Sequence, residues 1–259
     1  MELYSSIALD NFVDLINGFS TSEKFNIKAF NLLHTIPEKE YMYGLSLLRR
    51  AISLYEDEKN IPIEKSKKDM PFFRDNSRML VGPEIGLFTI TFNESPISLK
   101  SLNPVLSLSW DYEKLTENCL LENIFMVRCK YDTDKIIHTF KNQLEREYDK
   151  FFFDDEHTGF KTDSRFFSML CNACLEVRKP KKAEEKEWRL LELKPYEEAF
   201  YHYEDNTLTP YVPITLPKDC LKQITLLNAP ENPLLYGTLA GFLKRVGLSP
   251  EIYLNGMQD

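Results

Sequence analysis

Two glutamates in the segment AEEKEWRLLELK (183–194) have a residue type and a spacing that could support chemistry. Glu185 and Glu187 are two positions apart, and in a β-strand such side chains point to the same face. Two carboxylates on one face repel each other and weaken strand pairing unless something compensates. A site that orients a ribose hydroxyl and stabilises an oxocarbenium-like cation would use this arrangement. A charged strand entrance that discourages aggregation is the alternative, and the sequence leaves both open.

Metal chemistry has less support in the residue pattern. Cys171 and Cys174 lie three positions apart, but the remaining Cys and the four His do not supply a second ligand pair. The sequence therefore predicts buried structural thiols and no metal site. The acidic run Asp154, Asp155 and Glu156 lacks the ligand spacing and internal Gly of a calcium loop, which favours an exposed turn. A metal-dependent nuclease that uses these three acids is a further alternative.

Composition limits the classes of protein that the chain can belong to. It has 259 residues, 43% of them hydrophobic, and a net charge of −8. This balance predicts one domain with a substantial core over 1–259, and an acidic chain has no long-range attraction to nucleic acid phosphates. No apolar run approaches the roughly 18 residues of a membrane span. Five Cys without dense spacing indicate a reducing compartment, so we expect a cytoplasmic protein without a membrane partner.

Hydrophobic periodicity predicts helices and strands along the whole chain, and from 187 on the pattern is mainly that of strands. The helical pattern, with apolar residues three and four apart, covers 8–19, 37–58, 134–151, 163–177 and 232–248. The strand pattern covers 4–6, 25–33, 85–93, 104–112, 122–132, 187–193, 199–205, 209–216, 222–227 and 251–255. Regular βαβ alternation is missing. We therefore expect an α+β fold, with a mixed or split antiparallel sheet and flanking helices in a single domain.

The order of short motifs resembles the bacterial family called domain of unknown function 2971. The motifs are LYSSIALDNFVDLIN, EYMYGLSLL, LFTITFNE, EEKEWRLL and PYVPITLPKDCLKQITLLNAP, followed by a helix and VGLSPEIYLNG. The resemblance extends over nearly the whole length, and EKEWRL and EYMYG are its best pieces. The order of the strands also resembles the layout of ADP-ribosyltransferases, which bind NAD in a split sheet.

The second resemblance implies a role for several residues. Glu187 would hydrogen-bond the ribose 2′-OH of NAD as the catalytic acid, and Glu185 would be its orienting partner. Ser5, Thr91 and Asn93 would line the cofactor-binding cleft, with NAD as the substrate and no metal. Proteins of this kind are found among bacterial toxins and phage-defence components, which implies a protein or nucleic acid as acceptor.

Departures from the family pattern keep a second interpretation open. Ser5 replaces a cationic or imidazole group, Asn93 replaces a Ser, and the segment 95–102 is shortened. The alternative is therefore a catalytically degenerate protein-binding module with an immunity or regulatory role. A catalytic Glu187 must face an open cleft together with Glu185, Thr91 and Ser5. A Glu187 that is tied to Arg189 would argue against the enzyme.

Overall fold

The computed structural model describes ten strands and five helices, together with short 3₁₀ turns. The described residues are 1–9, 12, 24–35, 37–69, 85–96, 105–122, 124–150, 169, 172–204, 206–227 and 233–254. The strands are β1 (Glu2–Ala8), β2 (Lys24–Asn31), β3 (Ile85–Asn93), β4 (Val105–Asp111), β5 (Phe125–Arg128), β6 (Glu187–Pro195), β7 (Phe200–Glu204), β8 (Thr207–Pro217), β9 (Leu221–Leu227) and β10 (Glu251–Leu254). The helices are α1 (Leu32–Thr35), α2 (Glu38–Lys59), α3 (Tyr112–Leu121), α4 (Thr133–Glu147) and α5 (Pro233–Arg245).

The long helix α2 forms where the sequence predicts it. Pro37 stands directly before its first turn, where the missing N–H costs nothing. Leu45, Leu48 and Ile52 lie on its buried face, at the spacing of an amphipathic helix. The helix ends at Asn60, whose φ of 52° is in the left-handed region. The predicted helices over 8–19 and 163–177 fall mostly outside the described residues. Of their described positions, 9, 12, 169 and 172–175 are helical, whereas 8 belongs to β1 and 176–177 are not helical.

Helix α3 is the longest element that sequence reasoning missed, and the short helix α1 is another. The predicted strands over 104–112 and 122–132 are shorter in the structure, and the chain between them is helical. Asp111 ends β4 and caps α3, because its side chain accepts hydrogen bonds from the backbone N–H groups of Glu113 and Lys114. An Asp followed by an acidic first turn is the sequence signal that marks this start.

All ten strands belong to one sheet, in the order β10-β9-β4-β1-β3-β2-β8-β7, with β6 paired to β3 and β5 paired to β6. Neighbours are antiparallel except β9 and β10, which are parallel. One edge of β3 pairs with β6 from Ile85 to Asn93, and its other edge pairs with the end of β2 and then with β1. The α+β class with a mostly antiparallel sheet is thereby confirmed.

Two apolar clusters lie on opposite faces of β3 and β6. Leu87 and Leu191 belong to the first cluster, which includes the buried residues of α2 and α4. Phe88 and Leu190 belong to the second cluster, together with buried residues of β2, β4, β8, β9 and α5. Adjacent residues thus enter different cores because successive side chains of a strand point to opposite faces. By the same alternation, Thr91, Asn93, Glu187 and Arg189 lie on the face of the first cluster.

Candidate functional site

The sheet brings three of the predicted site residues onto one face of β3 and β6. Asn93 lies directly opposite Glu187, and Thr91 lies opposite Arg189. Directly opposite residues of an antiparallel pair project to the same side of the sheet. Strand β1 follows on the other edge of β3, where Tyr4 is opposite Asn93. Thr91, Asn93 and Glu187 therefore share a face, as the predicted cleft requires.

Ser5 does not join them, which corrects the expectation that it lines the same cleft. Because Tyr4 pairs with Asn93, its neighbour Ser5 projects to the opposite face of the sheet. There the Ser5 hydroxyl accepts a hydrogen bond of 2.8 Å from the indole N–H of Trp110, which is buried in the second cluster. The first-strand residue on the shared face is Tyr4, whose hydroxyl donates to the carboxylate of Glu2 at 2.9 Å.

Glu185 lies outside β6, so its predicted strand spacing to Glu187 is wrong. It ends a 3₁₀ turn over Pro180–Glu185, and Lys186 follows with a φ of 44° in the left-handed region. Because of this change of direction, Glu185 and Glu187 are not two positions apart in one strand, and strand geometry does not place their side chains on the same face. They approach each other through Arg178, which is 3.3 Å from a Glu185 carboxylate oxygen and 2.9 Å from a Glu187 carboxylate oxygen.

The Glu187 carboxylate is buried and both of its oxygens have a cationic partner. The residue is 3% exposed. Its Oε1 accepts a hydrogen bond from Arg189 Nε at 2.5 Å, and its Oε2 forms an ion pair with Arg178 Nη2 at 2.9 Å. The backbone is held as well, because the Glu187 N–H donates to the Tyr131 hydroxyl at 2.7 Å. A carboxylate in this state has a strong ion-pair environment and little access to a ligand.

Arg178 and Arg189 connect the Glu187 carboxylate to helix α2 and to the segment at Leu175. Arg189 is fully buried, and its Nη1 donates to the Leu175 carbonyl at 2.6 Å. Arg178 is also buried and lies 3.7 Å from the carboxylate of Glu40 on α2. We call Glu40, Arg178, Glu185, Glu187 and Arg189 the buried charge network. The network offsets the repulsion between the carboxylates of Glu185 and Glu187, because each of them has an arginine beside it.

Two nucleophilic groups beside the network are held in their neutral forms. Cys129 is buried and its thiol is 3.8 Å from Glu187 Oε1. Burial raises the pKa of the Cys129 thiol to about 12, and burial also raises the pKa of the Tyr131 phenol to about 12. A thiol must ionise before it can attack as a nucleophile, so Cys129 is inert at neutral pH. The network therefore has no activated nucleophile at this position.

The remaining predictions concern metals and membranes. Cys174 is buried and reduced, while Cys171, Asp154, Asp155 and Glu156 lie outside the described residues. Among the residues that the structure describes, no group of three or more His, Cys, Asp or Glu side chains could hold a metal ion. Within the same part of the chain, no helix is long and apolar enough to cross a membrane.

A separate cavity of about 640 Å³ opens beside β9 and β10. Its walls include Glu2, Lys218, Lys222, Gln223 and Glu251. Acids and lysines alternate around it, and Lys222 is already paired with Asp111 at 3.0 Å. None of the residues that the sequence predicted for the site lines this cavity. It is therefore not the cleft that the resemblance implies.

Sequence reasoning missed Arg178, which is central to the network. The residue stands in VRKPKK, a run that reads as a local basic patch. Its charge is buried among acids in the structure, so only the tertiary contacts distinguish it from the partly or fully exposed lysines that follow. The chain matches no protein-family model, no curated protein sequence and no solved structure. The resemblances to domain of unknown function 2971 and to ADP-ribosyltransferases therefore stay predictions.

Proposed function

We propose that this chain is a catalytically degenerate protein-binding module, with an immunity or regulatory role, and that it does not transfer ADP-ribose. The observation that carries the proposal is the state of Glu187. Both carboxylate oxygens are occupied by Arg189 and Arg178 inside the protein. A transferase needs that carboxylate in hydrogen-bond reach of a ribose hydroxyl in an open site.

Freeing Glu187 for catalysis would carry a large energetic cost. Breaking a buried ion pair typically costs about 3–5 kcal/mol, because it leaves an uncompensated charge in the interior. Two such pairs would have to break here. Ser5, which the resemblance assigns to the cofactor, is hydrogen-bonded to Trp110 on the other face of the sheet. Both features favour a scaffold in which the residues at the predicted cleft positions stabilise the fold.

NAD-dependent ADP-ribosyl transfer is the second candidate, and one observation favours it. Strands β1, β3 and β6 are neighbours, and they carry the first-strand position, the Thr91 and Asn93 pair, and Glu187 in that order. Asn93 and Glu187 are directly opposite each other. The order of the strands therefore supports NAD as a substrate, whereas the burial of Glu187 argues against it.

Calorimetry with NAD and a chromatographic assay for nicotinamide release decide between the two candidates. We expect no nicotinamide release by the wild-type protein above the rate of spontaneous hydrolysis, and no binding heat at millimolar NAD. The comparison variant is Glu187→Gln, assayed at a temperature where circular dichroism shows it to be folded. Release by the wild type that disappears in folded Glu187→Gln would contradict the proposal and restore the enzyme.

A further inference from the structure

Strand β7 is the last strand of the sheet on the side of β8. Its partner is β8, with Phe200 opposite Tyr211 and Glu204 opposite Thr207. Among the strands of the described residues, none pairs with the outer edge of β7. Such an edge presents N–H and C=O groups that can bind another strand.

The hairpin geometry fixes which backbone groups point outward. Two residues connect Glu204 to Thr207, and Asn206 has a φ of 61°, as turns of this length require. The pair that closes a two-residue hairpin is hydrogen-bonded, and such pairs then alternate along the ladder. Positions 200, 202 and 204 therefore bond to β8. The N–H and C=O groups of Tyr201 and Tyr203 face the open edge.

The side chains of β7 add an apolar surface to this edge. Tyr201 is 53% exposed and Tyr203 is 67% exposed. Leu208, opposite Tyr203 on β8, is also exposed, and on the other face Phe200 stacks on Tyr211 with ring centroids 5.8 Å apart. Edge strands are usually protected from pairing by Lys, Pro or a bulge. The sequence FYHYE of β7 contains neither Lys nor Pro.

Charge around β7 selects the kind of strand that can add there. Glu197 and Glu198 precede it and are exposed, and in the sequence its last residue, Glu204, is followed by a further acid, Asp205. Lys194 offsets part of this charge through a contact of 3.4 Å with Glu198. A second copy of the chain in antiparallel pairing would place acids against acids at both ends, which is unfavourable. A strand with cationic ends would meet acids at both ends instead.

We propose that the outer edge of β7 binds an extended peptide segment of a partner protein, with β-branched residues in the centre and Lys or Arg at both ends. The segment adds to the sheet through the backbone groups of Tyr201 and Tyr203, and its apolar side chains cover the exposed tyrosines. This inference rests on the proposed function as a protein-binding module, and it names the surface and the chemistry of the partner.

Fluorescence anisotropy with a labelled synthetic peptide tests this assignment. The probe is a ten-residue peptide of alternating Val and Thr with two Lys at each end, and the matched peptide has Glu in place of Lys. We expect the Glu peptide to bind at least about tenfold more weakly, since like charges then face each other at both ends. Binding should also slow amide hydrogen exchange at Tyr201 and Tyr203.

Two matched variants test the outward backbone groups. Tyr203→Pro removes an N–H that faces the open edge, a position where strands tolerate proline, and should weaken binding of the Lys peptide about tenfold. Tyr203→Val keeps the N–H and should bind within about twofold of the wild type. Tyr201→Pro provides the same test if Tyr203→Pro does not fold. Equal binding by the proline and valine variants would overturn the proposal, and so would equal binding of both peptides.

Failure of this inference is distinguishable from failure of the proposed function. Absence of peptide binding together with absence of nicotinamide release overturns only the assignment of β7. Nicotinamide release that depends on Glu187 overturns the proposed function whatever β7 binds. A dimer in sedimentation that Tyr203→Pro dissolves would show a second copy of the chain on this edge, and would overturn the peptide proposal.

Discussion

Glu187 illustrates how one residue can have two interpretations that only its contacts separate. A Glu at the start of a strand could be a catalytic acid or a structural anion. In the structure it accepts a hydrogen bond from Arg189 at 2.5 Å, forms an ion pair with Arg178 at 2.9 Å, and is buried. Arg178 is the ion-pair partner that Glu185 has in common with Glu187, and the Glu185 side chain is about one-third exposed, at 32%. The two acids are therefore unequal in their contribution to stability.

Substitution of each acid by its amide measures this inequality. Glu187→Gln removes the charge between two buried guanidinium groups, and we expect the free energy of unfolding to fall by about 3–5 kcal/mol. Glu185→Gln weakens two partly solvated contacts, with Arg178 and Lys182, and should cost about 1 kcal/mol or less. Urea unfolding followed by circular dichroism gives both values. Similar small losses in the two variants would contradict the buried charge network as a stabilising element.

At the scale of elements, Asp111 joins β4 to α3 through charge and capping together. Its Oδ1 accepts from two backbone N–H groups at the helix start, and its Oδ2 is 3.0 Å from Lys222 Nζ on β9. The hydrogen bond from Lys222 is the main cause that lowers the pKa of the Asp111 carboxyl from 3.8 to about 2. One residue thus fixes the start of α3 relative to two strands.

The lowered pKa predicts a pH window for the stability that Asp111 provides. A carboxyl whose pKa is lower in the folded than in the unfolded state stabilises above the unfolded value and loses this effect as pH falls. The comparison variant is Asp111→Asn, which keeps an oxygen for the helix cap. The wild type should be more stable above about pH 4, and the difference should shrink towards pH 2. A difference in urea midpoints that stays constant from pH 5 to pH 2.5 would refute this.

At the scale of the whole molecule, helix α2 packs very closely against the helical residues 172–175. Gly44 on α2 lies so near the chain at Ala173 that an added Cβ would be 1.7 Å from the Ala173 carbonyl oxygen. The same segment carries the Leu175 carbonyl that accepts from Arg189 on β6. Close backbone packing and the buried charge network therefore act on the same segment.

Two Gly→Ala substitutions separate this contact from ordinary helix propensity. Gly44→Ala must push α2 away from Ala173, and we expect a loss of about 3 kcal/mol or more in the free energy of unfolding. Gly237→Ala in α5 meets no atom within 4 Å. It should stabilise by up to about 1 kcal/mol, because alanine is the better helix former. Thermal and urea unfolding check both, and a neutral Gly44→Ala would show that α2 and the segment at Ala173 are not in close contact.

The sequence by itself determined the elements with strong periodicity. The stripe of Leu45, Leu48 and Ile52 predicted α2, and the β-branched and aromatic run over 85–93 predicted β3 with its observed bounds. These patterns are local, because the side chains that share one face of a helix or a strand are only a few residues apart in the sequence. The α+β class followed from the same patterns.

Only the tertiary structure decided what the chemistry-bearing residues do. Ser5 turns to the core because β1 pairs in a register that places Tyr4, and not Ser5, beside Asn93. The Glu187 carboxylate is paired inside the protein because the guanidinium of Arg178, nine positions earlier in the chain, lies against it. Register and burial of charge depend on contacts between distant segments, and residue type and spacing do not encode them locally. The same two glutamates could therefore suggest a catalytic pair in the sequence and form a buried charge network in the fold.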